Sequence, residues 1–226
     1  MVVDGIWLAS ASPRRYIILE QYIKKNNFPI KLISEPLIED EIKPHCSSLR
    51  ETVFLVTKMK LKNAMMEISL GRLEQLNFDI GKNIITIVSD TLVEDPDSFE
   101  QVFGKANNKL EAIGMLKSLS GRRHKVWTST GLILHNSMKL EITRTPEIVS
   151  GEWLGYIWTD YSTVEFENLT DEILVELLNS KSWLGKAGAY DLDGKMSKYS
   201  KVISGDKITV LGISTNSMEF LETLLK

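Results

Sequence analysis

A single cysteine, Cys46, among 226 residues excludes an internal disulfide and any cluster of thiolate metal ligands, since each needs at least two sulfurs. The three histidines, His45, His124 and His135, show no helical pairing of the kind that binds metal, and each reads as structural or exposed. No apolar run reaches the roughly 18 residues that a membrane-spanning helix needs. The N-terminus has too short an apolar run and too little positive charge for a secretory signal, so the cytoplasm is the expected compartment. An excess of positive charge is also lacking. With a net charge of −3 and a sequence pI near 5.7, the chain carries no global footprint for a nucleic-acid polymer or a membrane. Any anion site must be local. Internal repeats, low-complexity segments and long linkers are missing too, so residues 1–226 read as one domain. At 43% hydrophobic content that domain buries a sizeable core without staples.

What is present reads as an α/β chain. Ile6 to Ala9 form a short buried strand, and Ser12 followed by Pro13 marks a helix start with proline at the first helical position. Ile17, Ile18, Tyr22 and Ile23 then form an apolar stripe to about Asn27, before the strand "IKLIS". "SLRE" at Ser48 to Glu51 is a capping box opening a long helix, which carries Lys58, Lys60 and Lys62. Spaced by two, these lysines cannot share one face, so at most one points inward. "NIITIVSD" is the clearest strand, a β-branched run ending at Ser89 and Asp90. A helix is expected from about Lys109 to Leu119, with Gly121 just beyond its end. Strands are expected at Lys125 to Leu134, Leu140 to Thr145 and Ser162 to Phe166. A helix from Thr170 to about Asn179, the glycine-rich loop "GKAGAYDLDG" and a last helix from about Asn216 complete the chain.

The stretch "LASASPRR" is the most informative. Two arginines in the first turn of a helix oppose the positive end of the helix dipole. The plain reading is a pair of solvated side chains. The functional one is an anion cradle: Ser10, Ser12 and first-turn amides hydrogen-bond phosphate oxygens, and Arg14 and Arg15 supply planar bidentate donors. Asp90 closes an apolar strand, where a carboxylate either caps a turn or activates water and holds a divalent metal. Glu35, Glu39, Asp40 and Glu41 add carboxylates in a polar loop. Lys105, after a glycine in "FGKA", is a loop cation that does not fit P-loop spacing.

Taken in order, "LASASPRR", "SDTLV", "FGK", "LSGRRHKVWT" and "GKAGAYDLDG" resemble the Maf family of nucleoside triphosphate pyrophosphatases over nearly the whole chain. The resemblance implies an α/β fold similar to that of inosine triphosphate pyrophosphatases, with a mixed central sheet flanked by helices and a cleft between two lobes, often as a homodimer. It also implies cleavage of a nucleoside triphosphate between its α and β phosphates with a divalent cation, Mg²⁺ or Mn²⁺. By resemblance, substrate contacts fall on Ser10, Arg15, Lys60 and Lys105, metal ligation on Glu35 and Asp90, and the catalytic carboxylate on Asp90. Ala106 replaces the proline of the family's "GKP". Three discriminating positions fall on Arg14, Thr91 and Asp193. The first two match the dTTP/UTP branch. Asp193 is acidic as in the 7-methyl-GTP branch, and an acceptor-only carboxylate there would suit the N–H donors of guanine or cytosine. The expected substrate is of the dTTP/UTP type, with 7-methyl-GTP as the alternative. Two other readings are a non-catalytic nucleotide-binding module and an unrelated phosphatase using Asp90 as nucleophile.

Overall fold

The computed structural model describes residues 3–38, 48–79, 83–138 and 142–226. Glu39, Asp40, Glu41, His45 and Cys46 lie outside them. Strand β1 (Gly5–Leu8), helix α1 (Pro13–Lys25) and strand β2 (Lys31–Ser34) form a parallel unit, with Gly5 opposite Lys31. Helix α2 (Leu49–Ser69) begins as the capping box requires: the Ser48 hydroxyl accepts the Glu51 amide at 3.2 Å. The short α3 (Arg72–Gln75) precedes the long β3 (Ile84–Asp95) and its antiparallel partner β4 (Ser98–Phe103). Then come α4 (Lys109–Leu119), capped by Asn108, and β5 (Arg123–His135), β6 (Ile148–Ser150) and β7 (Trp153–Phe166). The chain ends with α5 (Asp171–Asn179), a 3-10 turn at Lys195–Lys198, β8 (Ser200–Ser204), α6 (Lys207–Leu211) and α7 (Thr215–Leu225). One mixed sheet runs β2-β1-β3-β5-β7-β6, with β4 attached to β3 and β8 to β7.

Three expectations are corrected. Asp90 does not end its strand: β3 continues to Asp95, because β5 holds its other edge from Thr86 opposite Ile133 to Val93 opposite Val126. Residues 142–145 are not a strand, and the outer edge of β7 is met by β6 at Ile148–Ser150. Finally, the expected strand from Ser162 is the last third of β7, which starts at Trp153 and pairs with β5 along its whole length.

The length of β3, β5 and β7 determines the layout. A strand of 14 residues spans roughly 45 Å at about 3.3 Å per residue, enough to run through two separate cores. At one end, α2 covers one face of the sheet through Leu61, Ala64 and Met65 against Trp7, Val88 and Ile133. The close approach of α2 uses Gly131, where an added Cβ would lie 2.8 Å from Leu61 Cγ. Helices α1 and α7 cover the opposite face there, through Leu19, Ile23, Met218 and Leu221. At the other end, α4, α5 and the glycine-rich loop pack on Val126, Val164 and Phe166. Between the cores the sheet opens. β1 pairs with β3 only at residues 84–87, and β4 pairs with it only at residues 93–95. Among the described residues no strand meets that edge of β3 from Val88 to Leu92.

Candidate active site

That opening exposes a peptide carbonyl which an unbroken sheet would pair with a neighbouring strand. Here two cations satisfy it. The Ser89 carbonyl accepts from Arg15 Nη1 at 2.9 Å and from Lys60 Nζ at 3.2 Å. Strand alternation sends the next side chain, Asp90, to the α2 face, where its Oδ1 meets Lys60 Nζ at 2.9 Å. Lys60 is therefore the inward member of the lysine series. Its side chain is 12% exposed and that of Asp90 14%, so the charges offset one another in a partly desolvated site. Ser89 and Thr91 face the other way, towards α1 and α6. The Thr91 hydroxyl accepts from Arg15 Nη2 at 3.1 Å and lies 3.0 Å from that of Thr128. Arg15 also donates from Nε to the Gly212 carbonyl at 2.8 Å and from Nη1 to Ser10 Oγ at 3.1 Å. The Ser10 hydroxyl additionally accepts the Ser12 amide at 3.2 Å. Gly212 is required there: its φ is +109°, and a Cβ would stand 2.9 Å from Arg15 Nε. The two arginines thus diverge, with Arg15 turned into the protein beneath the opening.

Arg14 turns instead towards the glycine-rich loop, where its Nη1 stands 3.9 Å from Asp191 Oδ1. Burial holds its guanidinium below the ordinary pKa, opposed by Asp191, Tyr190 and Asp193. Lys186 Nζ lies 3.3 Å from the other Asp191 oxygen. The loop docks on the "FGK" segment: the Gly188 amide reaches the carbonyls of Phe103 at 3.1 Å and Gly104 at 3.0 Å, and Lys105 forms a β-bridge with Ala187. It is also fixed to β5, since the Tyr190 hydroxyl and His124 Nε2 are 3.1 Å apart. Residues of all five sequence strings are thereby linked around one opening. A family model, described as Maf-like protein, matches residues 5–224. The chain belongs to the Maf family. It is 30% identical over 92% of its length to a dTTP/UTP pyrophosphatase of Lachnoclostridium phytofermentans, covering 88% of that protein. It is 29% identical over 91% of its length to one from Alkaliphilus oremlandii and 27% identical over 91% to one from Thermococcus kodakarensis, covering 88% of each.

The structure distributes the Maf-derived positions unevenly. Ser10, Arg15, Lys60, Asp90 and Thr91 form one connected network around the opening. Lys105 is exposed on its β4 border, and the ion pair of Asp90 is with Lys60 instead. Glu35 stands apart: its side chain is half exposed and pairs with Arg72 at 3.8 Å. Asp193 is 47% exposed and pairs with Lys207. Among the described residues no group of three His, Cys, Asp or Glu side chains is arranged to hold a metal. A single carboxylate with substrate phosphate oxygens and water is nonetheless an ordinary Mg²⁺ donor set, and Asp90 fits it. No helix among the described residues is long and apolar enough to cross a membrane. Lys186, Asp191, Thr128 and the Gly212 carbonyl were not singled out by sequence. For Asp191 the signal was its place in the same loop as Asp193.

His124 anchors the loop through packing as well, meeting Phe166 and Tyr190 edge-on at 4.9 and 5.6 Å. Burial pushes its pKa down to about 3, while burial raises that of Tyr190. An unfolded histidine titrates near 6.5, so below that pH the unfolded chain binds a proton that the folded protein refuses. This part of the stability is complete above pH 6.5 and is lost as pH falls, by about 1.4 kcal/mol per unit. Denaturant titrations of the unmodified protein and of His124→Gln between pH 8 and 5 should converge by about 2 kcal/mol. Parallel curves would show that folded His124 takes up its proton as readily as in the unfolded chain.

Proposed function

We propose that this chain is a nucleoside triphosphate pyrophosphatase, acting on dTTP and UTP as its relatives' names state. It hydrolyses the α–β phosphoanhydride to a nucleoside monophosphate and pyrophosphate. The observation that carries the reading is the opening in the sheet, where Lys60 and Asp90 form an ion pair beside a carbonyl shared with Arg15. Phosphoryl transfer needs mainly positioning and electrostatic stabilisation, and these groups provide both.

In this reading the Asp90 carboxylate orients a water molecule and accepts its proton as the water oxygen bonds to phosphorus and the bridging P–O bond breaks. Lys60 stabilises the charge developing on the phosphate oxygens, and Lys105 approaches from the β4 border. Arg15 is a positioning residue, since its guanidinium nitrogens are engaged by protein oxygens. Asp90 would hold a divalent cation together with phosphate oxygens, and that cation supplies neutralisation of substrate charge. The same reading includes a cytoplasmic homodimer, tested by the mass in solution. Incubation with canonical and modified triphosphates plus Mg²⁺ or Mn²⁺, with product identification, tests the activity. Pyrophosphate is expected. Orthophosphate as the sole inorganic product, or binding without hydrolysis, overturns it.

A further inference from the structure

We propose that Asp160, on β7 two strands away from the opening in β3, is a positioning residue that holds Arg15 in place for the reaction. The inference rests on the activity proposed above and deepens it. A band of hydroxyls runs through the core on the α6 and α7 face of the sheet: Ser89, Thr128, Thr130, Thr209 and Ser214 are each no more than 2% exposed. Buried hydroxyls are costly unless paired, and all five are paired.

The pairs form a path across three strands. Asp160 accepts the Ser214 hydroxyl, and it also accepts from Asn216 through the amide at 3.1 Å and through Nδ2. Three donors thus fix one carboxylate. The Ser214 amide donates to Thr130 Oγ1 at 2.9 Å, which leaves the Thr130 proton for Ser89 Oγ, 3.0 Å away. Ser89 in turn donates to the Gly212 carbonyl at 2.8 Å or to that of Ser129 at 2.9 Å. The Gly212 carbonyl is the acceptor of Arg15 Nε, also at 2.8 Å. Because Ser214 lies two residues beyond Gly212, Asp160 reaches Arg15 twice, along the Gly212–Ser214 turn and through the two hydroxyls. Arg15 shares the Ser89 carbonyl with Lys60, the partner of Asp90.

Helix capping alone does not account for this arrangement. Ser214 already caps α7 by accepting the Ser217 amide at 3.2 Å, and a carboxylate beside the helix start interacts favourably with its dipole. Neither effect needs the hydroxyls of Thr130 and Ser89. Arg15 has acceptors on separate elements at Gly212, Ser10, Ser89 and Thr91, so a displaced Gly212 carbonyl would tilt the planar guanidinium away from the other three. Phosphoryl transfer depends on positioning, and a shift of about 1 Å caused far from the chemistry can lower turnover about a hundredfold.

The experiment compares Asp160→Ala and Asp160→Asn with the unmodified chain, by steady-state pyrophosphate release from UTP with Mg²⁺ and by hydrogen exchange of the Arg15 Nε–H in NMR spectra. In Asp160→Ala, kcat should fall at least about tenfold with KM changed less than about threefold. Arg15 Nε–H should exchange at least about tenfold faster than the change in global stability, read at the core amide of Ile133, accounts for. Asparagine keeps an acceptor for Ser214 and can donate its amide to a flipped Asn216 side chain, so Asp160→Asn should recover most of both losses. Unchanged kcat or unchanged Arg15 exchange in folded Asp160→Ala overturns the inference, and so do equal losses in the two variants. If Asp160→Ala does not fold, Thr130→Val cuts the same path at its middle, with the same losses expected and unchanged values overturning the inference. Should the unmodified chain release pyrophosphate from no triphosphate, the activity reading fails separately, and exchange at Arg15 still decides the positioning.

Discussion

Asp90→Asn is expected to lower kcat for pyrophosphate release by about a thousandfold, with KM for the nucleotide changed much less. The magnitude follows from the role: a positioned general base contributes roughly 10²- to 10⁴-fold. The amide of asparagine fills the same space but does not accept the proton of an attacking water at neutral pH. The loss therefore falls on the transition state rather than on ground-state binding. Asp90 pairs with Lys60 at 2.9 Å, and the variant leaves that ammonium beside the amide oxygen and the Ser89 carbonyl at 3.2 Å. The ammonium keeps two acceptors, so stability should fall only modestly, by about 1 kcal/mol. Steady-state kinetics on UTP, with a denaturant curve on the same sample, separates these outcomes. Full turnover by a folded variant would remove Asp90 from the chemistry.

The placement of Asp90 also shows where sequence reasoning reaches. The start of α2 and the span of α4 were legible to within a residue because such signals are local: the Ser48 hydroxyl accepts the amide three residues on, as the capping box requires. Strand β3 was legible only in its apolar half. At Ser89 the side chains turn polar, as at a strand end, yet the strand continues because β5 pairs with it through Val93. That pairing is non-local. The same holds for β7, whose first nine residues were missed, and for Leu140 to Thr145, where a plausible alternation lacks a partner strand across its described residues. Within the site, Ser10, Arg15, Lys60, Asp90 and Thr91 came from the resemblance to the Maf family, and the fold brings them together. The choice between Asp191 and Asp193 was not legible, because the positive-φ turn at Gly188 and Ala189 decides which carboxylate faces Arg14.

Arg15→Met should destabilise the fold by about 3 kcal/mol and lower activity with it. Arg15 joins the first helix to a carbonyl 197 residues away at Gly212, to the Ser89 carbonyl in the sheet opening and to the hydroxyls of Ser10 and Thr91. Hydrogen bonds from a charged donor contribute roughly 1.5–3 kcal/mol each, so four would suggest a far larger loss. The remaining partners reduce it. Lys60 still serves Ser89, the Ser89 hydroxyl still reaches Gly212 at 2.8 Å, and Thr128 stays 3.0 Å from the Thr91 hydroxyl. Methionine matches most of the aliphatic stem, which leaves the lost polar ties as the main cost. Arg15→Lys keeps the charge but not the planar fork that reaches opposite sides of the opening, so it should recover less than half of the lost stability. If either variant unfolds within about 0.5 kcal/mol of the unmodified protein yet loses turnover, Arg15 acts on the substrate directly rather than by holding the opening in shape.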